Sequence, residues 1–192
     1  MEGGSGNRNG NKPQLRLIHG ALAEKPPQKS EPPKKFAHLA NEVEPIVQGM
    51  LEEVGRIPAW DAMKRVNRLC LIAMVRAEVD GDPMPMLREA AVAADAQGNR
   101  VLAAELMVQV AEAFWKSGLD PWSIMDMAFR CVMEAPEGRD KEEVLAGIAY
   151  SYAVLGDYPR AERIMEMITE FELRKGLKEG IDQLISSQEA GK

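Results

Sequence analysis

The sequence predicts an all-α body, residues 36–192, behind an N-terminal tail of different composition, residues 1–35. Three observations carry this. From Phe36 onward apolar residues recur at helical spacing, Ala, Met, Glu and Leu dominate, and strand-like alternation is absent. Aromatic residues make up only 5% of the chain, a poor supply for strands, which are enriched in them. Finally, punctuation of one chemical kind recurs between the helical stretches.

The tail comes first. It holds seven Lys or Arg against three Asp or Glu, five of the chain's twelve Pro and five of its sixteen Gly. Only seven of its 35 residues are apolar, too few to offset the entropy of ordering it, so disorder is expected. Its longest apolar stretch, Leu15 to Ala23, is interrupted by Arg16, His19 and Gly20. A secretory leader needs about 7–15 consecutive apolar residues. A membrane span needs roughly 18, which no window supplies. The expected location is cytoplasmic and not membrane-bound, with Cys70 and Cys131 reduced and buried as small hydrophobes.

Helices are predicted at 37–55, 59–79, 84–97, 100–117, 121–135, 140–155, 159–174 and 177–187. Pro45 falls inside the first and marks a place for it to split or kink. Gly81-Asp82-Pro83, Gly118-Leu119-Asp120-Pro121 and Gly156-Asp157-Tyr158-Pro159 then separate alternate pairs. Glycine tolerates the left-handed conformation that ends a helix. Aspartate accepts bonds from the free N–H groups of the next helix, and proline fits its first turn. The three glycines lie 37 and 38 residues apart, which predicts a helical-hairpin repeat.

The body resembles the tetratricopeptide-like repeat family over about residues 59–174. The third unit carries the likeness best. Leu145, Ile148, Ala149 and Tyr152 stand where that family has large, large, small and aromatic residues. Gly156-Asp157-Tyr158 matches the family's turn, and Ala161 its small residue in the second helix. Met107, Val110, Ala111, Phe114 and Gly118 follow in the second unit, with Ser123 where Ala is usual. The first unit offers only Cys70, Ala73, Met74, Ala77 and Gly81. The spacing exceeds the family's roughly 34 residues, and no unit ends in its usual Pro. The resemblance implies a right-handed stack of about three hairpins (an α-solenoid) framed by an N-terminal helix and a C-terminal cap. Leu177, Ile181, Leu184 and Ile185 share one face of that cap.

Catalysis is not expected. Two His and two Cys in the chain leave little for a zinc site or a His-based triad. His19 sits in the tail and His38 at its junction with the body. Glu52-Glu53 and Glu142-Glu143 read as solvated helical faces, and no phosphate-binding Gly loop, HExxH or GxSxG occurs. No catalytic residue, metal ligand or cofactor is therefore assigned. The twelve Met residues and Trp60, Trp115 and Trp122 read first as packing groups.

One pattern points outward. Residues 144–155 carry a single non-tyrosine hydroxyl and no charge, and residues 69–77 carry one charge; a helix apolar all round is buried all round. In a tetratricopeptide-like stack such helices line the concave surface. Leu71, Ile72, Val75, Val108, Gln109, Glu112, Trp115, Lys116, Ala146, Gly147, Tyr150 and Ala153 then face a groove, with small residues at 146, 147 and 153 allowing close approach. Three occupants are open: the helix 37–55 with Leu39, Val43, Ile46, Val47 and Leu51 folded back as a lid, an amphipathic helix or peptide of another protein, or a second copy in a homo-oligomer. The expected function is a non-enzymatic adaptor, scaffold or chaperone-like protein-binding module.

The tail holds a motif of its own, Leu15, Leu17, Ile18 and Leu22, in which residues 15, 18 and 22 have helical spacing. The stretch from Lys12 to Pro33 is slightly similar to the N-terminal arm of phage small terminase subunits. That likeness implies an alternative, a nucleic-acid-associated protein acting through its tail. The formal charge of −6 divides into +4 for residues 1–35 and −10 for the remainder. The acidic body therefore makes nucleic acid an unlikely partner for itself, while the tail is not so constrained.

Overall fold

A computed structural model describes residues 36–190. The tail, including Leu15, Leu17, Ile18, His19 and Leu22, lies outside the described residues. Among these residues there are eight α-helices, one 3₁₀ turn and no strand. The 3₁₀ turn Ala37–Leu39 leads into α1 (Ala40–Arg56), followed by α2 (Ala62–Glu78), α3 (Met84–Asp95) and α4 (Arg100–Lys116). Then come α5 (Trp122–Met133), α6 (Arg139–Val154), α7 (Tyr158–Met165) and α8 (Phe171–Ala190). Pro45 does not split α1, which is continuous and buries Val47 and Val54.

The turns after α2, α4 and α6 are built alike. In each, an amide bonds back to the carbonyl five residues earlier: Gly81 to Arg76 at 2.8 Å, Leu119 to Phe114 at 2.9 Å and Asp157 to Tyr152 at 2.9 Å. The residue before each of these amides has positive φ: Asp80 at 68°, Gly118 at 76° and Gly156 at 88°. This is the closure that satisfies the last helical carbonyls. The expected role of Gly81 thus moves one residue, because the left-handed position falls on Asp80. Aspartate tolerates it through local hydrogen bonding, and the three left-handed residues are spaced by 38.

Aspartate also opens the next helix at every joint. Asp82 Oδ1 accepts from Met84 N, Asp120 Oδ1 from Trp122 N and Asp157 Oδ1 from Arg160 N, at 2.9–3.1 Å. Elsewhere Asp61 caps α2 and Asn99 caps α4 through their side chains, so five of the eight helix starts are written within a few residues of themselves.

α1 and α6 start without a side-chain cap, and α8 differs again. A helix over 159–174 and another over 177–187 were expected; instead α7 stops at Met165 and α8 begins at Phe171. Between them Ile168 is fully buried, which pins the chain at a point that a continuous helix would pass. The carboxylate of Glu142, on α6, then accepts the Glu170 amide at 2.8 Å, the Thr169 amide at 3.2 Å and the Thr169 hydroxyl. The cap for α8 comes from another helix.

Packing is mostly between neighbours in sequence. α2 pairs with α3, α4 with α5 and α6 with α7, while α2, α4 and α6 lie successively side by side. α1 packs on α2, and α8 packs on α6 more than on α7. One continuous apolar core runs from Val47 to Ile181, centred on fully buried residues such as Leu69, Leu87, Leu106, Met107 and Ile148.

Candidate functional site

The residues expected to face a groove lie where α2, α4 and α6 run side by side, and the structure divides them in two. At the α6 end the surface is closed. Ala146, Gly147 and Ala153 are buried, and Trp115 packs with Val154 beside Tyr150, Leu155 and Leu184. The helix that covers this end is α8. Leu177 and Ile181 are buried on its inner face, Leu184 and Ile185 half-buried, and a Cβ on Gly180 would stand 3.8 Å from the Tyr150 ring. Segment 37–55, weighed as the lid, instead lies along α2, where Glu44 Oε1 and Arg76 Nη2 meet at 2.6 Å.

At the α2–α4 end the surface is open. Leu71 is 41% exposed, Val75, Val108, Gln109 and Glu112 are half-buried, and Lys116 is exposed, whereas Ile72 is fully buried. Helical spacing puts residues 105, 108, 109, 112 and 116 of α4 on one stripe. Lys116 Nζ meets Glu112 Oε1 at 2.7 Å, so those charges answer each other. Among the described residues Glu105 has no such counter-ion. Its charged neighbours are Asp140 and Glu143, and partial burial together with these two acids raises its carboxyl above the ordinary value. Sequence reasoning passed over Glu105, although its place seven residues before Glu112 was the available signal. On the stripe Gln109 Oε1, and behind it Trp115 Nε1, are enclosed without a hydrogen-bond partner among the described residues.

Two further features were missed. Trp60, read as a packing group, is 82% exposed in the α1–α2 turn, with Met63 half exposed beside it in sequence. Trp122, Asp126, Tyr152 and Arg160 join α5, α6 and α7. Tyr152 Oη donates to Asp126 Oδ1 at 2.9 Å, Arg160 Nη1 lies 3.1 Å from the same oxygen, and the Trp122 and Tyr152 rings stack at 5.8 Å. Burial, with Asp126 adding to it, pushes the Tyr152 hydroxyl up to about 12. This cluster is internally satisfied and ties α5, α6 and α7 together.

Groups with chemical potential elsewhere are tied up. Cys70 and Cys131 are buried and unpaired as disulfides; burial, reinforced by Glu112, pushes the Cys70 thiol up to about 12, and burial also raises Cys131. A thiol so shifted is a weak nucleophile at neutral pH. A cleft of about 510 Å³ lies between the α5–α6 and α7–α8 turns and is lined by Met133, Lys141, Glu142, Met167 and Thr169 among others. Lys141 Nζ there is held by Glu137 and by the Ala135 carbonyl, at 2.7 and 3.2 Å. Among the described residues, no group of three or more His, Cys, Asp or Glu could hold a metal ion, and no helix is long and apolar enough to cross a membrane. No protein-family model, curated protein or solved structure matches the chain.

Proposed function

We propose that residues 36–192 are a tetratricopeptide-like stack of three helical hairpins, α2/α3, α4/α5 and α6/α7, acting as a non-enzymatic adaptor or scaffold. Its ligand is an amphipathic helix or peptide of another protein, laid on the open α2–α4 face. One observation carries the reading. The helices at both ends are accommodated within the chain, α1 on α2 and α8 on α6, yet Leu71 stays exposed on α2, with Val75 partly exposed one turn on and Val108 partly exposed on α4. An apolar strip flanked by Glu105, Glu112 and Lys116 has the composition of a helix-binding face. The identically built turns, spaced by 38 residues, support the repeat. A cytoplasmic location goes with this reading.

The test is partner recovery from native extract by the full chain and by a Leu71→Asp, Val108→Asp variant, with bound proteins identified by mass spectrometry. A partner held by the native chain should be lost from the variant by about tenfold or more, since each substitution places a charge in a buried contact. Equal recovery by both, with circular dichroism showing both folded, overturns the site.

A further inference from the structure

α1, α3 and α4 pack on α2, and one face of α2 is left uncovered among the described residues. Helical spacing puts the exposed Lys64, Asn67, Leu71 and Glu78 on that face, with Met74 and Val75 half-buried beside them. Its centre is apolar, since Leu71 is 41% exposed between Met74 and Val75. Its ends are charged, and oppositely. Lys64 precedes Leu71 by seven residues and Glu78 follows it by seven, two turns or about 10 Å in each direction. The ion pairs of α2 are made instead by Arg65 with Glu89 and by Arg76 with Glu44, which leaves Lys64 and Glu78 out of them.

This order of charges is complementary to itself. When two copies of α2 lie antiparallel about a two-fold axis at Leu71, residues equally far before and after it come level. Leu71 then meets its own copy, Asn67 comes level with Val75 of the second copy, and Lys64 with its Glu78. Symmetry makes that ion pair twice. A parallel arrangement would set Lys64 and Arg68 against the same basic residues, so charge fixes the direction. The formal charge of −6 on each chain opposes association, but this repulsion is screened beyond about 8 Å at physiological salt, whereas the two pairs act at contact. Helices about 25 Å long and 10 Å wide meet over about 250 Å² a side, short of the roughly 600 Å² a side of a lasting interface. The contact is therefore weak and reversible.

We infer that the protein forms a weak symmetric dimer through the outer face of α2, with Leu71 on the axis and Lys64 of each copy paired with Glu78 of the other. The dimer rests on the same Leu71 face as the proposed function and adds a competitor to it. A copy in the dimer has that face covered, so a helix of another protein must displace the second copy, and raising the concentration of the protein lowers its affinity for such a helix.

Analytical ultracentrifugation of the full chain from about 1 μM to about 1 mM tests this. The native chain should pass from monomer to dimer across that range. Lys64→Glu and Glu78→Lys, each of which sets like charges together twice, should each weaken the dimer by about tenfold. An equimolar mixture of the two variants should regain the native affinity, because both pairs re-form in the mixed dimer. With oxidised glutathione, Leu71→Cys should link two copies, as a thiol on the axis faces itself; Val92→Cys, at a 70% exposed position on α3, should not. A monomer throughout, a dimer indifferent to either charge reversal, no recovery on mixing, or equal linking by both cysteine variants overturns the inference. The two readings fail separately. Loss of a partner from the Leu71→Asp, Val108→Asp variant of a chain that is always monomeric leaves the proposed function and removes the dimer. A dimer recovered on mixing, without any partner, does the reverse.

Discussion

Glu142 shows how one side chain can decide where a helix starts. Its carboxylate accepts two amides and a hydroxyl from Thr169 and Glu170, the work normally done by a cap in the same helix. Thr169's hydroxyl, ahead of the two backbone amides, holds the Glu142 carboxyl below its ordinary value. A carboxyl lowered on folding stabilises the native state above its unfolded value, about 4.3, and that contribution is lost as pH falls through the folded value. Glu142→Gln should therefore cost about 1 kcal/mol at neutral pH. The gap to the native chain should narrow below about pH 4. Urea unfolding of both proteins at neutral and acid pH measures it; a gap of constant size would show that charge is not what binds Thr169 and Glu170. Glu105 has the opposite sign, because its raised carboxyl destabilises the fold when ionised, and so this position gains from a cation brought to it.

At the scale of the element, glycines of two kinds separate. Gly118 and Gly156 have positive φ at the ends of α4 and α6, where a Cβ collides with the backbone and costs about 1–2 kcal/mol. Gly176 and Gly180 lie inside α8; nothing stands within 4 Å of a Cβ at the first, and only the Tyr150 ring, at 3.8 Å, at the second. Thermal unfolding should thus show Gly118→Ala and Gly156→Ala destabilised. Gly176→Ala and Gly180→Ala should each gain about 0.5–1 kcal/mol from helix propensity. A loss at Gly180 would mean that α8 sits closer to α6 than the structure places it. The same contrast explains what could be read from the sequence. Stops such as Gly118 and Gly156 and starts such as Asp61 and Asn99 are local, so six of the eight helices fall close to their expected bounds. The α7–α8 break was hidden because its cap lies 27 residues upstream. The groove was readable only in outline, since helical spacing names a face but not the helix that covers it. Tyr150 and Trp115 carry the same apolar signal as Leu71, and only the docking of α8 on α6 distinguishes them.

For the whole molecule, the order of packing sets how it comes apart. α4 touches α2, α3, α5 and α6, whereas α8 rests chiefly on α6, so the middle of the fold is locked from several sides and the C-terminal end from one. In arrays held by neighbour contacts, ends open at lower free energy than centres. Leu106 on α4 is fully buried and Ile181 on α8 nearly so, and truncating either to Ala should cost about 2–5 kcal/mol. The two losses should differ in form. Leu106→Ala weakens the shared core, so helix content and tryptophan fluorescence should still fall together at a lower urea concentration. Ile181 sits at the α8 edge of that core, and its loss also loosens the helix whose Leu184 packs against Trp115 and Val154, while the exposed Trp60 should change little on unfolding. Trp122, stacked on Tyr152, follows the main core instead, so the Trp115 part of the fluorescence change should come at a lower urea concentration than circular dichroism in that variant alone. Coincident curves for Ile181→Ala would make α8 an inseparable part of the core. The α6 end of the face would then be closed for as long as the protein is folded.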